Sequence, residues 1–367
     1  MRKVTVTLAD GRALSYFGAV PARPEDYPDA RPIRPVQVTS QARRDQLLGE
    51  WVVIASHRQD RTFRPADDQC PLCPSAPGRP TEIPAPDYEV VVFENRFPTL
   101  AAAGPAGPAG DPARPPAEPL LASLPAGGRC EVVCFSSDHA ASFADLPAAQ
   151  AATVLAAWTD RTAVLSGLPG VAQVYCFENR GREIGATLSH PHGQIYAYPF
   201  LTPRTERMLA TSAAYRQATG RNLFDDVVAA ELGQRDRVVA AGEHWVAFVP
   251  FAAHWPYEVH LYPRERVPDL TALPAAAGAE FCALYQDLLR RFDRLFDAPA
   301  PYISGWHQAP VRGDRDGRGG FALHLELFTV RRAPGRLKYL AGSESGMGVF
   351  ANDVSPEAAA SRLRQLA

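Results

Sequence analysis

The feature that most constrains this chain is residues 189–197, where two histidines lie two residues apart within an apolar, aromatic stretch that predicts a β-strand. Side chains two residues apart in a strand project to the same face, so we expect His190 and His192 side by side, with Gln194 continuing the row. A neutral imidazole is a nucleophile, and an amide can donate to an oxygen that gains charge in a transition state. The row predicts an active site; the alternative is a strand whose polar residues are satisfied internally.

The length and charge of the chain narrow its class. At 367 residues it is long enough for two domains or two fused halves, and its formal net charge of −2 argues against a nucleic-acid-binding surface. A small-molecule substrate fits better. We expect no signal peptide and no membrane span. Six cysteines are too few for a disulfide scaffold, which favours reduced thiols and a cytoplasmic protein.

Strand and helix patterns occur twice in a similar order. The first set comprises strands at 48–55, 88–93, 131–135 and 172–177, the histidine strand, and a helix at 146–165. The second comprises strands at 245–250, 257–262, 301–307 and 321–327 and a helix at 276–296. We interpret this as a degenerate internal repeat in an α+β fold, with two fused halves that are each an antiparallel sheet with packed helices. Only the first half keeps the nucleophilic histidine.

The proposed divisions are an N-terminal half at 1–202, a helical connector at 203–240 and a C-terminal half at 241–367. Residues 101–128 are rich in Ala, Pro and Gly, and this composition predicts a mobile surface insertion.

Several motifs together resemble one family, the galactose-1-phosphate uridylyltransferases, a branch of the histidine-triad superfamily. The resemblance covers most of the chain and implies two fused histidine-triad-like halves. Its motifs are Ser56-His57-Arg58, Cys70-Pro71-Leu72-Cys73, Phe135-Ser136-Ser137-Asp138-His139, Phe177-Glu178-Asn179-Arg180-Gly181, His190-Pro191-His192-Gly193-Gln194, Gly305-Trp306-His307-Gln308-Ala309-Pro310 and Arg336-Leu337-Lys338-Tyr339. The histidine motif is the specific element, because related nucleotidyl transferases and phosphorylases generally have another histidine in place of Gln194.

The resemblance implies a double displacement in the Leloir route of galactose metabolism. His192 would attack the α-phosphorus of UDP-glucose, glucose 1-phosphate would leave, and galactose 1-phosphate would take UMP from the uridylyl-histidine. Gln194 would favour the charged phosphoryl oxygens. Imidazole suits this role because it is a nucleophile when neutral and a leaving group when its other nitrogen is protonated.

The resemblance also implies a set of substrate-binding residues. Arg58, Arg61 and Lys338 would bind phosphates, although each alone would be read as a solvated surface charge. Lys338 lies in a late segment that in such enzymes reaches the partner subunit's site, which implies a homodimer. The remaining members of the set are Asn95 and Asn179 for the nucleotide, Gly185 and Thr187 for phosphate, and Glu344 for a hexose hydroxyl. Each asparagine taken alone would be read as a turn residue that caps a strand.

A first metal site is implied by Cys70, Cys73, His139 and His190, a Cys2His2 set that suits structural Zn(II). The CxxC pair could instead be redox-active or simply buried. A second ion, iron or zinc, is implied at His307, His324 and Glu326, with Glu206 as a fourth ligand. A buried ion pair or hydrogen-bonded cluster is the alternative for this second group.

Two other functions stay open at this point. One is a related nucleotidyl transferase or phosphorylase that acts on another sugar phosphate or an adenine nucleotide, since the catalytic histidine would be shared. The other is a zinc-stabilised nucleotide-binding module without turnover, against which His192 and Gln194 argue.

Overall fold

The computed structural model describes residues 1–19, 26–36, 38, 40–60, 65–101, 118–296, 298–312 and 315–367. Its strands are β1 Lys3–Thr7, β2 Ala13–Phe17, β3 Gln41–Asp45, β4 Glu50–Ile54, β5 Val90–Glu94, β6 Ser123–Pro125, β7 Arg129–Cys134, β8 Gln173–Arg180, β9 His192–Tyr198, β10 Val238–Ala241, β11 Trp245–Phe248, β12 Tyr257–Pro263, β13 Tyr302–His307, β14 His324–Thr329, β15 Arg331–Ala333 and β16 Arg336–Leu337. Its helices are α1 Ala148–Ser166, α2 Pro203–Thr219, α3 Leu223–Gln234, α4 Ala275–Arg294, α5 Arg315–Gly320, α6 Gly342–Met347 and α7 Pro356–Gln365. Within these ranges, none of the helices combines the length and apolarity needed to span a bilayer.

The main sheet joins the two halves of the chain. Its order is β1-β2-β5-β7-β9-β8-β13-β14-β12-β11-β10, and the neighbouring strands pair antiparallel. The predicted α+β fold with antiparallel sheets is confirmed. The two half-sheets merge where β8 pairs with β13, with Phe177 opposite Gly305. This pairing satisfies the backbone groups of two strands that would otherwise be exposed sheet edges.

One face of this sheet is covered by α1 and α4, which pack against each other. The buried residues of β9 alternate along the strand, at Gly193, Ile195 and Ala197, so the strand turns one face to the helices. Large aromatic side chains fill the layer between them, including Trp158 of α1 and Phe281 of α4. The intervening β9 residues therefore lie on the opposite, open face, and that face carries the site.

A smaller three-stranded sheet, in the order β4-β3-β6, lies beside the main sheet. Its strand β6 falls within residues 101–128, where the sequence predicts a mobile insertion, and pairs with β3 through Ala42 and Leu124. Most side chains of residues 118–125 are exposed, as expected of a surface insertion, whereas Ala126 is buried with Ala42 and Cys130 in a small apolar cluster. The mobility of the segment stays a prediction. Residues 102–117 lie outside the described part of the chain.

Candidate active site

The nucleophile predicted from sequence, His192, is the first residue of β9 and pairs with Cys134 of β7. His190 precedes the strand, so the expected side-by-side row of two histidines is wrong. The proline between them lacks the N–H that a ladder needs, which favours a strand that begins after it. The row on the open face instead runs through His192, Gln194 and Tyr196, which are all partly buried.

A main-chain hydrogen bond fixes the His192 ring. Its Nδ1 lies 2.7 Å from the carbonyl oxygen of His190. A carbonyl can only accept, so Nδ1 carries the ring proton and Nε2 keeps its lone pair. Burial lowers the pKa of His192, although the His190 carbonyl opposes this, and the ring is therefore neutral near pH 7. The arrangement presents an unprotonated imidazole nitrogen, as a nucleophile requires.

The glycine of the histidine motif is explained by close packing. A Cβ atom on Gly193 would lie 2.9 Å from the ring of Phe135 and 3.0 Å from the carbonyl oxygen of Phe177. Neither neighbour can retreat easily, because one is a core ring and the other is backbone in the paired strand. Glycine lets β9 approach the core closely, which places the residues on either side of it at the open face.

Two cavities meet at His192. One has a volume of about 340 Å³ and extends toward His139 and Arg180, and the other has about 270 Å³ and extends toward Arg58 and Asn95. His192, Asn179 and Thr187 line both. Together they have the size of a site for an elongated small molecule that crosses the imidazole.

The smaller cavity brings together most of the predicted site residues. Its lining includes Arg58, Asn95, Asn179, Gly185, Thr187, His192 and Gln194. Gly185 ends a short helical turn at φ 84°, a left-handed conformation that favours glycine. Arg61 lies outside the described residues.

The sequence analysis assigned no role to the aromatic side chains of this cavity. Phe93, Phe97, Phe177 and Tyr196 line it beside the polar residues. Rings of this kind offer faces on which a planar base can stack. The alternation of side chains along β8 and β9 could have identified Phe177 and Tyr196, because each lies two residues from a predicted polar site residue, Asn179 or Gln194, on the same face of its strand.

Lys338 and Glu344 do not line either cavity of this chain. The ammonium group of Lys338 lies 2.9 Å from a carboxylate oxygen of Glu344 and also donates to the carbonyl of Ala351. Their hydrogen bond lowers the pKa of Glu344 to about 2. The two predicted sugar-phosphate ligands therefore form an ion pair on the arm that carries β16 and α6.

The predicted first metal group does assemble. Ligand atoms of Cys70, Cys73, His139 and His190 all lie within 4.8 Å of one another, and both cysteines and His190 are buried. The Cys73 sulfur lies 3.3 Å from Nδ1 of His139 and 3.7 Å from Nδ1 of His190. A tetrahedral zinc ion would place sulfur and nitrogen ligands about 3.6 Å apart. These residues could hold a metal ion with little movement.

Neighbouring groups orient the two histidines for a metal at Nδ1. Nε2 of His190 lies 2.8 Å from both the Ser136 carbonyl oxygen and the Tyr88 hydroxyl. Nε2 of His139 lies 3.2 Å from the Ser189 hydroxyl. Partners on the far nitrogen are typical of histidines that ligate metal. No sequence pattern indicated a role for Tyr88, which lies 102 residues from His190.

Comparisons with known proteins agree with this geometry. Residues 32–202 match the model of the galactose-1-phosphate uridyl transferase N-terminal domain, and residues 209–367 match that of its C-terminal domain. The chain belongs to the galactose-1-phosphate uridyl transferase family. The resemblance stated from its motifs is therefore confirmed.

Individual members of the family match over nearly their whole length. A galactose-1-phosphate uridylyltransferase from Streptomyces lividans is 52% identical over 381 residues, covering 100% of this chain and 98% of the relative. One from Thermotoga maritima is 35% identical and covers 88% of this chain and 97% of the relative. A solved structure described as a uridylyltransferase is 31% identical, with a TM-score of 0.76, and covers 89% of this chain and 98% of that one.

In this family member, one residue links the metal group to the nucleophile. The His190 side chain faces Cys73, while its carbonyl oxygen bonds Nδ1 of His192. Anything that fixes the His190 ring also fixes its backbone, and so fixes the orientation of the His192 ring. The metal group therefore contacts the nucleophile through His190, and Cys70, His139 and His190 also line the larger cavity.

The second predicted metal group assembles only in part. His307, His324 and Glu326 are buried with their ligand atoms close together, and Glu258 and His260 form an overlapping group around the same Glu326. Glu206 is exposed on α2 and is in neither group, so its prediction as a ligand is wrong. Residues two apart on a helix project about 200° apart. The helix therefore turns Arg204, and not Glu206, toward Glu326.

A buried carboxyl group, Glu178, borders the larger cavity. It is 4% exposed and accepts a hydrogen bond of 2.8 Å from Tyr302, and its Oε2 is buried without a partner among the described residues. Burial raises the pKa of Glu178 to about 7, against the opposing effects of Tyr302 and Arg180. The folded protein therefore holds a proton that the unfolded chain releases near pH 4.5.

We predict that Glu178→Gln flattens the dependence of stability on pH. The stabilisation from the protonated group is complete below the ordinary glutamate pKa and is lost as pH rises toward 7. Between about pH 5.5 and about pH 8, the native protein should lose about 2 kcal/mol of unfolding free energy that the variant keeps. Urea denaturation of both proteins at the two pH values measures this, and parallel losses would contradict it.

Proposed function

We propose that this protein transfers UMP from UDP-glucose to galactose 1-phosphate by double displacement through a uridylyl-histidine at His192. The observation that carries the proposal is the His192 ring itself, whose Nδ1 is bonded to a carbonyl 2.7 Å away and whose Nε2 is left to react where two cavities meet. A buried histidine in the opposite tautomer could not attack.

In the first step the Nε2 lone pair forms a bond to the α-phosphorus, and the bond from that phosphorus to the glucose 1-phosphate oxygen breaks. The imidazole becomes cationic, and the His190 carbonyl stabilises the proton that stays on Nδ1. In the second step an oxygen of galactose 1-phosphate attacks the same phosphorus and Nε2 leaves with its electron pair. The ring ends as it began, so a second cycle needs no other reactant.

Gln194 is proposed to stabilise the phosphoryl oxygens during both steps. The Tyr196 hydroxyl donates to Oε1 of Gln194 at 3.3 Å, which leaves the amide N–H groups for another acceptor. This amide is partly buried beside His192, where a hydrogen bond to developing charge counts for more than in water.

We predict that Gln194→Ala slows the transfer about 100-fold, the usual effect of removing one preorganised donor, while the covalent intermediate still forms. Tyr196→Phe serves as the milder companion, because it removes only the hydroxyl that orients the amide. Single-turnover kinetics measure both variants. An unchanged rate in Gln194→Ala would contradict the assignment.

The other site residues are proposed in the roles that the family resemblance implies. Arg58, Arg61, Asn95, Asn179, Gly185 and Thr187 bind the sugar nucleotide. Zn(II) is held by Cys70, Cys73, His139 and His190, where it supplies structural order, and a second ion, iron or zinc, is held by His307, His324 and Glu326. The clustering of the described members in one cavity and of the cysteines and histidines in one group supports these roles.

We further propose a cytoplasmic homodimer with halves at 1–202 and 241–367 joined by the connector at 203–240. Lys338 and Glu344 would bind the sugar phosphate in the partner's site. In support, the arm that carries them exposes apolar side chains that a partner would cover: Tyr339, Leu340, Met347 and Val349 are 74%, 50%, 80% and 62% exposed.

The substrate pair is tested by following the intermediate. The protein is incubated with UDP-glucose, and the covalent product is then offered galactose 1-phosphate, other sugar phosphates or inorganic phosphate in turn. Discharge by galactose 1-phosphate is expected. An adduct that forms with an adenine nucleotide and not with UDP-glucose would instead favour the related nucleotidyl transferase or phosphorylase.

A further inference from the structure

The second half of the sheet repeats the geometry of the first at His324. This residue begins β14 as His192 begins β9, and its Nδ1 lies 2.9 Å from the carbonyl oxygen two residues earlier, that of Ala322. The residue two positions on is Glu326, where the first half has Gln194. The second half therefore keeps a histidine in the equivalent place, but here it is fully buried.

The buried His324 ring lacks a partner at its second nitrogen. The bond to Ala322 places its proton on Nδ1, and Nε2 is buried without a hydrogen bond among the described residues. Nε2 of His324 lies 3.6 Å from a carboxylate oxygen of Glu326. Both atoms are acceptors and neither carries a proton, so they cannot form a hydrogen bond with each other. A buried acceptor beside a carboxylate is costly unless a cation or a donor lies between them.

The spacing around Glu326 suits a small cation. Nε2 of His307 lies 3.4 Å from one carboxylate oxygen, and Nε2 of His324 lies 3.6 Å from the other. Nitrogen and oxygen ligands at the corners of a tetrahedron around a divalent ion lie about 3.4 Å apart. Two histidines and one carboxylate are also a ligand set that divalent iron and related ions accept.

A positive group of the protein already contacts this carboxylate. One terminal nitrogen of Arg204 lies 2.7 Å from one Glu326 oxygen and 2.6 Å from the other. The Glu326 side chain is 5% exposed and needs a positive partner, whereas the Arg204 side chain is 50% exposed and can turn toward water. The guanidinium therefore gives up little hydration when bound and recovers it when released.

We propose that Arg204 is a built-in counter-ion of Glu326 that a divalent metal ion must displace to bind His307, His324 and Glu326. This deepens the proposed second metal site. The Arg204–Glu326 ion pair keeps the cluster folded without metal, and binding exchanges a guanidinium for an ion with two positive charges. The exchange lowers the apparent metal affinity by the free energy of the ion pair.

The test is a titration with Co(II) of protein that already holds one zinc per chain. Cobalt binds more weakly than zinc, so it should leave the bound zinc in place. Cobalt bound to thiolates would show sulfur-to-cobalt charge-transfer absorption, which distinguishes binding at the cysteines from binding at histidines and a carboxylate. Wild type is compared with Arg204→Met, with Arg204→Gln as a second variant, and with Arg207→Met, which removes another arginine from the same helix.

Both Arg204 variants should bind Co(II) at least about tenfold more tightly than wild type, and Arg207→Met should match wild type. Co(II) should also raise the unfolding midpoint of Arg204→Met more than that of wild type, because the ion restores the lost positive partner. Adding Glu326→Gln to Arg204→Met should abolish binding. Equal or weaker binding by both Arg204 variants would overturn the proposal. These readouts do not depend on uridylyl transfer, which the adduct assay tests separately.

Discussion

We expect that replacing His192 by glycine abolishes the covalent intermediate and lowers the transfer rate by at least about a thousandfold, the scale on which removal of a nucleophile acts. The ring is partly buried, and among the described residues it bonds the His190 carbonyl two residues earlier, so we expect its loss to leave the packing of the sheet and the metal group in place. The variant lacks the Nε2 atom that is proposed to attack the phosphorus.

The control for this variant is His254→Ala, which removes an imidazole that is 45% exposed and lies on neither cavity. It should keep the intermediate and the rate. Circular dichroism and zinc content establish that His192→Gly is folded. A variant that is folded and zinc-loaded but still forms the intermediate would contradict the assignment of the nucleophile.

The second large effect is expected from loss of the first metal group. Cys73 contacts both histidines of the group, so Cys73→Ala removes the ligand that connects the chain around residue 70 to the segment before β9. We expect wild type to bind zinc at this group and the variant not to bind it there. Its unfolding free energy should fall by about 4 kcal/mol in zinc at a thousand times the dissociation constant, because bound metal stabilises only the folded state.

Activity should fall with the metal, since the freed His190 ring no longer holds the carbonyl that orients His192. Elemental analysis, denaturant unfolding and single-turnover kinetics measure the three effects. Cys282→Ala is the matched control, because it removes a buried thiol from α4, outside the group. Cys73→Ala that binds as many zinc ions per chain as wild type, or that loses zinc without loss of stability, would contradict the account.

The sequence predicted the elements near the site well because their periodicities are local. The helix expected at 146–165 is α1 at Ala148–Ser166, and the strand expected at 172–177 begins at Gln173. The merging of two half-sheets at β8 and β13 could not be predicted, because strand pairing across more than 100 residues leaves no local pattern. The short strand β6 was missed because the Pro- and Ala-rich composition around it hides its three residues.

The site residues, too, could be predicted where the signal is local and could not where it depends on how distant elements pack. Residues in motifs next to strands, such as Asn179 and Gln194, lie together in one cavity because the strands that carry them are neighbours. The sequence analysis selected Glu206 as the partner of the Glu326 group and missed Arg204. The rotation of a helix determines which of two nearby residues faces the sheet, and the sequence pattern does not show that rotation. Glu258 and His260 became visible only when β12 paired with β14 and brought them to Glu326.

The measurement that tests the central claim most directly is peptide mapping by mass spectrometry after the full-length protein has been mixed with UDP-glucose and quenched in alkali. We predict one uridylyl group per chain, attached to the imidazole of His192 and removed when galactose 1-phosphate is added before the quench. A modified residue other than His192, or turnover with no covalent product at any time after mixing, would contradict the account.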